Sequence, residues 1–340
     1  MVALAVLPVV ALSACSSSSS SAASSSGASA GAGASAGLKD GLGSRATNRN
    51  VYFLTYYNPA SDAFWNQMLT GAKDAAELGH LTLTHQTTDG TDPGKMTDLI
   101  NTAIATKPAA MFIPFNDPAW ENAVCEASKA GISVFAFNVP PSGVAKDCVK
   151  SFVGQDFFAV GALVATRALK EIPGLKAGDK VLCPAEEPTQ QYAIQRGGGV
   201  ESVLKTVGVK CTYLRTGGDD AGALDSLTTW LTANPDVKAI MPLGGTPHRN
   251  AVAAEDAAGS KAPIIGFDTS PQVIAGIKSG RILATADQQG YIQGFQTVMQ
   301  GVLYLDFALS PANINSGGNG LIDKTNVANL EAKELQTVRW

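Results

Sequence analysis

The chain has 340 residues, 45% of them hydrophobic and 16% charged, with a net charge of −4. Lys and Arg are scattered rather than clustered, which argues against nucleic-acid binding, because that needs a basic footprint. Roughly 290 residues follow a low-complexity N-terminal tract, enough for two lobes with well-buried cores.

Met1 to Ala11 is almost wholly apolar but too short to span a bilayer, and reads as the hydrophobic region of a secretory signal. Leu12-Ser13-Ala14-Cys15 resembles a bacterial lipobox, in which the cysteine is lipidated and becomes the mature N-terminus. It departs from the usual signal in having no Lys or Arg ahead of the apolar run. Residues 1–15 are therefore expected to be a lipoprotein signal. The tract that follows is rich in Ser, Ala and Gly and has almost no side-chain volume. It cannot bury enough apolar surface to offset its own ordering entropy, so residues 16–48 are expected to be a flexible tether. That order implies an exported body, held by lipid at the outer face of the cytoplasmic membrane, with no further membrane segment.

From Asn50 onward, strand and helix alternate. "NVYFLTYY" (50–57) is a near-continuous β-prone apolar run, as in a strand buried on both faces. A helix is expected over 62–78, a strand over 81–88, and a helix over 93–106 with Met96, Leu99, Ile100, Ala103 and Ile104 on one face. A strand at 109–115, a helix at 118–130, a strand at 133–139 and a short strand from Ser151 continue the series. The second half repeats it, with "KVLCPA", "KCTYLRT", "AIMPL" and "PIIGFD" as strands, each followed by a helical segment. Such alternation builds parallel sheets with right-handed crossovers. The strands are too many for one compact sheet. The expected fold class is α/β, with two doubly wound parallel-sheet lobes joined by a three-strand hinge. The first lobe is assigned residues 49–156 plus 289–318, and the second 157–288 plus 319–340. Crossings are expected near Asp156, Gln288–Gly290 and Gly317–Gly320.

Beyond Cys15, four cysteines fall two per lobe, which suggests the pairs Cys125–Cys148 and Cys183–Cys211; four buried thiols are the alternative. No CxxC spacing supports a zinc site, and neither a metal nor a cofactor is expected.

In open parallel sheets, ligands bind beyond the carboxyl ends of the strands. The segments there are "NPASDAFW", "FNDPAW", Asn138, "GQD", "AEEPTQQYAIQR", "LGGTPH", "GFDTSP" and "ATADQQGYIQG". They carry carboxylates, amides, one Arg and aromatics. Flat rings cover the C–H faces of a neutral hydroxyl-rich molecule, while Asp and Asn share its O–H hydrogen bonds. Asn116, in the segment that follows the third strand, joins the candidates on that ground.

"SDAFW", "VGQD", "EP" with "QRGGG" and "GFDTSP" with "TADQQGYIQG" together resemble the type I periplasmic sugar-binding proteins of ABC importers, the ribose- and galactose-binding group. The resemblance covers nearly all of the chain from Asn50. It implies ligand contacts from Asp62, Phe64, Trp65 and Asn138 in the first lobe, and from Arg196, Asp268 and Gln288 in the second. Glu187 stands where relatives place a Glu-Pro at a strand end, with Gln190 and Tyr192 on the following loop. Asp156 falls at a crossover, where a hinge role and a ligand role both fit. Asn138-Val139 replaces an Asp-Arg of the ribose group, and Gly244-Gly245 replaces an Asn-Asp pair. Thr246 and His248 stand close enough to fill part of that gap. The departures disfavour ribose itself and leave a related sugar, a deoxy sugar or a polyol.

The resemblance thus implies a non-catalytic, monomeric binding protein that hands a sugar or polyol to an ABC permease with its ATPase. No nucleophile–base constellation, P-loop or HExxH is present to support an enzyme. A sugar-responsive repressor shares the fold but would carry a DNA-binding module where this chain has its signal and tether. A sensor for a furanose-like signal and a nucleoside binder that stacks a base on Phe64 and Trp65 are the alternatives.

Overall fold

The computed structural model describes residues 41–340 except positions 89, 91, 318, 319, 333, 334, 336, 337, 339 and 340. The expected signal, lipidation at Cys15 and residues 16–40 of the expected tether lie outside the described residues.

The first sheet has six strands: β1 (Asn50–Thr55), β2 (Thr82–Thr87), β3 (Ala110–Ile113), β4 (Ser133–Asn138), β5 (Phe152–Gly154) and, far downstream, β11 (Ile314–Asn315). Their order is β11-β5-β4-β3-β1-β2, and every pairing is parallel. The second sheet holds β6 (Val181–Ala185), β7 (Cys211–Arg215), β8 (Ala239–Ile240), β9 (Ile264–Phe267), β10 (Ile282–Ala286) and β12 (Leu321–Asp323), in the order β12-β10-β9-β8-β6-β7. Only β12 runs antiparallel to its neighbour. Both sheets thus reverse direction of strand order at one point, between β1 and β3 in the first and between β6 and β8 in the second. β8 is shorter than "AIMPL" suggests because Pro242 has no N–H, although Met241 and Leu243 still donate to Leu182 and Pro184 of β6. β10, β11 and β12 were not among the expected strands. β11 and β12 are two and three residues long, too short for a period to show.

The helices are α1 (Ala63–Leu78), α2 (Pro93–Ala105), α3 (Glu121–Lys129), α4 (Phe157–Glu171), α5 (Gln191–Leu204), α6 (Asp220–Ala233), α7 (Gly245–Ala258), α8 (Pro271–Ser279) and α9 (Gly290–Phe307). Several start where a short acceptor side chain caps the first turn: Asp62, Asp92, Asp156, Asp219 and Ser270 each accept a backbone N–H two or three residues on. α9 follows β10 in sequence but packs in the first lobe, with Val298 and Val302 in the same core as Phe53, Phe112 and Trp65. Glycines let it approach α1 closely: a Cβ on Gly71 would overlap the Tyr291 carbonyl, and one on Gly294 the Met68 carbonyl. α4 and α5 meet in the same way through Gly161 and Gly199, so the "GGG" of α5 serves helix packing.

The chain passes between the sheets after β5, after β10 and after β11. The crossings are tied together: Gln155 Nε2 donates to the Asp287 carbonyl (3.3 Å), Ser316 Oγ to the Gln288 carbonyl (3.1 Å), and the Asp156 N–H to Asn315 Oδ1 (3.2 Å). Disulfides join Cys125 to Cys148 and Cys183 to Cys211. Residues 41–48, assigned to the tether on composition, are instead fastened to the body. Asp306 at the end of α9 accepts from the backbone of Gly43 (2.6 Å), Arg45 and Ala46, and pairs with Arg49 (2.5 Å).

Candidate functional site

A cavity open to solvent lies where the carboxyl ends of the two sheets face one another. The first lobe contributes Tyr56 and Tyr57 beyond β1, Asp62, Phe64 and Trp65 at the start of α1, and Asn138 at the end of β4. The second contributes Glu186 beyond β6, Tyr192 and Arg196 of α5, Thr246 and Arg249 of α7, and Asp268 with Thr269 and Ser270 beyond β9, with Phe157 of α4. Gln288 comes from the second crossing.

Asn138 and Asp268 occupy corresponding ends of β4 and β9, and both adopt left-handed backbone (φ 60° and 71°). That conformation bends the chain away from the sheet at the cleft; Asn and Asp tolerate it better than other side chains with a Cβ. Asn138 Nδ2 donates to Gln288 Oε1 (3.3 Å), and Tyr56 reaches Asn138 Oδ1. Asp268 accepts from Gln288 Nε2, and its other oxygen lies 3.7 Å from Arg196 Nη1. Arg196 is only 2% exposed. Its guanidinium lies 4.5 Å from the centroids of both the Phe157 and Phe267 rings, and donates to the Leu243 carbonyl. Among the described residues its Nε has no partner. Burial raises the Asp268 carboxyl to about 6 despite the opposing pull of Arg196 and Gln288.

The aromatic wall is a chain of edge-to-face rings, with Tyr56 against Trp65 at 4.6 Å and Phe64 against Trp65 at 5.7 Å. Trp65 is both core and wall, and Trp120 is core alone.

Across the cleft, Arg249 Nη1 of the second lobe pairs with Asp62 Oδ2 of the first at 3.3 Å, while its Nε holds Asp220 at 2.7 Å. Asp62 also caps α1 through Oδ1. Burial raises the Asp62 carboxyl, and Arg249 opposes the rise.

Of the residues singled out from sequence, Asp62, Phe64, Trp65, Asn138, Tyr192, Arg196, Thr246, Asp268 and Gln288 share this cavity. Four do not. Asn116 and Gln190 are both buried and hydrogen-bond one another between lobes (2.5 Å), forming a strut beside the cavity rather than a wall of it. Asp156 is exposed and caps α4 by accepting from Ala159 N–H. Glu187 points to the outer cleft, where it pairs with Arg215 (2.6 Å) and accepts from Thr189. The inward acid is its neighbour Glu186, since consecutive residues leaving a strand face opposite sides. His248 is wholly buried, with Nδ1 2.7 Å from the Phe267 carbonyl, and does not reach the cavity; burial lowers its pKa to about 4.

Residues that sequence reasoning passed over are Tyr56, Tyr57, Glu186, Arg249 and Phe157. The strand expected over 50–57 takes in both tyrosines, whereas β1 ends at Thr55 and leaves them on the ligand side. Arg249 carried no local signal, because its partner Asp62 lies in the other lobe. Among the described residues no group of His, Cys, Asp and Glu is arranged to hold a metal ion, and no helix is long and apolar enough to cross a membrane.

A family model described as periplasmic binding protein domain matches residues 52–308. The xylose/arabinose-binding protein of Sulfolobus acidocaldarius is 28% identical over 218 residues, 58% of this chain and 52% of that protein. The D-ribose/D-allose-binding protein of Pseudomonas aeruginosa is 29% identical over 222 residues, 62% of this chain and 69% of that one. The matched region thus spans about half the length of the first and about two thirds of the second. Among solved structures, a carbohydrate transporter from Acidothermus cellulolyticus in complex with myo-inositol has a TM-score of 0.75 at 28% identity, covering 86% of this chain and all of that one (100%). A solute-binding protein of Agrobacterium vitis with bound D-fucose shares the fold with a TM-score of 0.76 at 22% identity, covering 86% of this chain and 100% of that one.

Proposed function

Because the chain belongs to the periplasmic binding protein domain family, we propose that it captures a neutral sugar or sugar alcohol between its lobes and delivers it to an ABC permease. The observation that carries this reading is the composition of the cleft. Rings of Phe64, Trp65, Tyr56 and Phe157 face a set of carboxylates and amides drawn from both lobes, the half-buried Asp62 and the buried Asn138, Glu186, Asp268 and Gln288. Flat apolar faces beside hydrogen-bond acceptors match a ring with C–H faces and an equator of hydroxyls. The named ligands of the similar proteins, pentoses and hexoses in two and myo-inositol in a third, fall in that class.

Capture works by closure. Three chain crossings hinge the lobes. The Arg249–Asp62, Asn116–Gln190 and Gln67–Thr269 contacts already bridge them. A ligand that hydrogen-bonds to both walls binds the closed state better than the open one and shifts the equilibrium by that difference. The closed surface is then what the permease recognises. We assign residues 1–15 to a lipoprotein signal and Cys15 to lipid attachment, which holds a monomeric binding protein at the outer face of the membrane.

A thermal-shift screen over pentoses, hexoses, polyols and nucleosides tests the ligand class, since a ligand specific for the native state raises Tm by linkage. A shift with a sugar or polyol is expected. A shift with nucleosides alone, or with none of these compounds, overturns the reading. Labelled palmitate incorporated by the wild type and lost in Cys15→Ser tests the anchor.

A further inference from the structure

We propose that Glu186, seated in the space left by Gly244, is the residue that makes this cleft select uncharged polyols over sugar acids and sugar phosphates. The inference rests on the sugar-binding reading above and names the substrate class within it.

Glu186 follows β6 and Gly244 lies beyond β8, so the two flank the point where the strand order of the second sheet reverses. A crevice opens there in doubly wound sheets. Glu186 is 7% exposed and lines the cavity. Its position is fixed from two sides: Oε2 accepts from the Tyr192 hydroxyl (2.5 Å), and Oε1 from the Thr246 N–H (2.8 Å) in the first turn of α7. Gly244 has an extended backbone (φ −139°, ψ 168°) that any residue could adopt. Its lack of a side chain is therefore not conformational. A Cβ there would overlap the Glu186 carboxylate, and one on Gly245 would sit 3.3 Å from Asp268 Oδ2. The paired glycines make room for two carboxylates brought from other strands.

The charge balance supplies selectivity. Asp62 has Arg249 at 3.3 Å, and Asp268 has Arg196 at 3.7 Å. Glu186 is held by a hydroxyl and an amide, and among the described residues no Lys, Arg or His lies within ion-pair distance of it. Arg249 is shared between Asp62 and Asp220, and the Nη1 of Arg196 serves the Leu243 carbonyl and Asp268. The buried wall therefore carries one carboxylate more than its guanidinium groups offset. Each carboxylate oxygen has a second acceptor site, which a ligand hydroxyl can fill. A ligand carboxylate or phosphate at the same place meets like charge in a low-dielectric cleft.

The test is calorimetry with wild type, Glu186→Gln, Glu186→Asp, Gly244→Ala and the Glu186→Gln/Gly244→Ala double variant. The probes are D-galactose against D-galacturonate and myo-inositol against myo-inositol 1-phosphate. Wild type should prefer the neutral member of a pair by about 100-fold or more. Glu186→Gln should narrow that ratio about tenfold, which loss of a merely structural contact would not do. Glu186→Asp should lose affinity but keep the rejection of acids. Gly244→Ala should weaken the neutral ligand about tenfold, and the double variant should bind no worse than the weaker single one, because both act through one carboxylate. Folded variants that keep wild-type affinity and selectivity overturn this proposal and leave the sugar-binding reading standing. A wild type that takes the acid as tightly as the sugar also overturns it. A wild type that binds no probe, sugar or polyol overturns both.

Discussion

Asp268 is strained in its backbone (φ 71°), 7% exposed and carries a carboxyl raised by burial to about 6, so its protonation state governs two opposite responses to pH. Its ordinary value is about 3.9. The folded chain therefore holds the proton more tightly than the unfolded one, and between about pH 4 and 6 this group makes the unliganded protein less stable as pH rises. A sugar hydroxyl donating to the ionised carboxylate has the reverse dependence. The groups facing Asp268 are Arg196 and Gln288, which favour the charge, and Glu186 and Asp62, which oppose it. Affinity is expected to be full at neutral pH and to fall below about pH 6, by up to about tenfold per pH unit. Asp268→Asn should bind weakly with a flat profile. Calorimetry from pH 5 to 8 checks this, and a wild-type profile as flat as the variant's would refute it. Residue identities at the strand ends were largely readable in advance, because a strand's carboxyl end is where the fold exposes its chemistry. The choice between Glu186 and Glu187 was not readable, since it turns on the parity of the last strand residue, and an end point uncertain by one residue reverses it.

Elements are held together by close helix contacts and by buried acceptors. In α9, Gly294 lies against the Met68 carbonyl of α1, a backbone atom that cannot rotate aside. Gly294→Ala should therefore destabilise the protein by about 1–3 kcal/mol in urea unfolding despite alanine's better helix propensity. A gain in stability would mean the helices part freely. At the far end of the same helix, burial alone would raise the Asp306 carboxyl, but the N–H groups of Ala46 and Gly43 and the Arg49 guanidinium outweigh it and hold it below the ordinary value. Its contribution is thus present above about pH 3.9 and is lost as pH falls through the lower folded value. Asp306→Asn should cost about 1–3 kcal/mol and free residues 41–48 for early hydrogen exchange. Unchanged protection there would show that the segment is held by other contacts. Composition alone places that segment in the tether because it continues a Ser-, Ala- and Gly-rich tract without an aromatic residue; the acceptor that orders it lies more than 250 residues away in sequence.

At the scale of the molecule, the lobes meet through a few polar contacts and three crossings, and Arg249–Asp62 is the ion pair across the mouth of the cleft. Arg249→Ala removes a bridge that favours closure and leaves Asp62 half-buried without its cation. Ligand affinity should drop by about tenfold or more, and the contraction on ligand addition should shrink. Small-angle scattering with and without saturating sugar measures this. An unaltered radius of gyration in both states would remove the pair from the closing mechanism. Salt should weaken closure only modestly, because both partners are largely shielded from solvent.

The alternation of strand and helix, the division into two similar halves and the kinds of side chain gathered at the strand ends are all legible in the order of residues. These follow from local periodicity, from capping residues and from the rule that parallel sheets bind at their carboxyl edges. Which of those side chains share one cavity emerges from the folded chain alone. Arg249 finds Asp62, Asn116 finds Gln190, and Glu186 fills the room left by Gly244, all between segments far apart in the chain. Such pairings depend on how two sheets face each other across a hinge, and no window of neighbouring residues encodes that geometry.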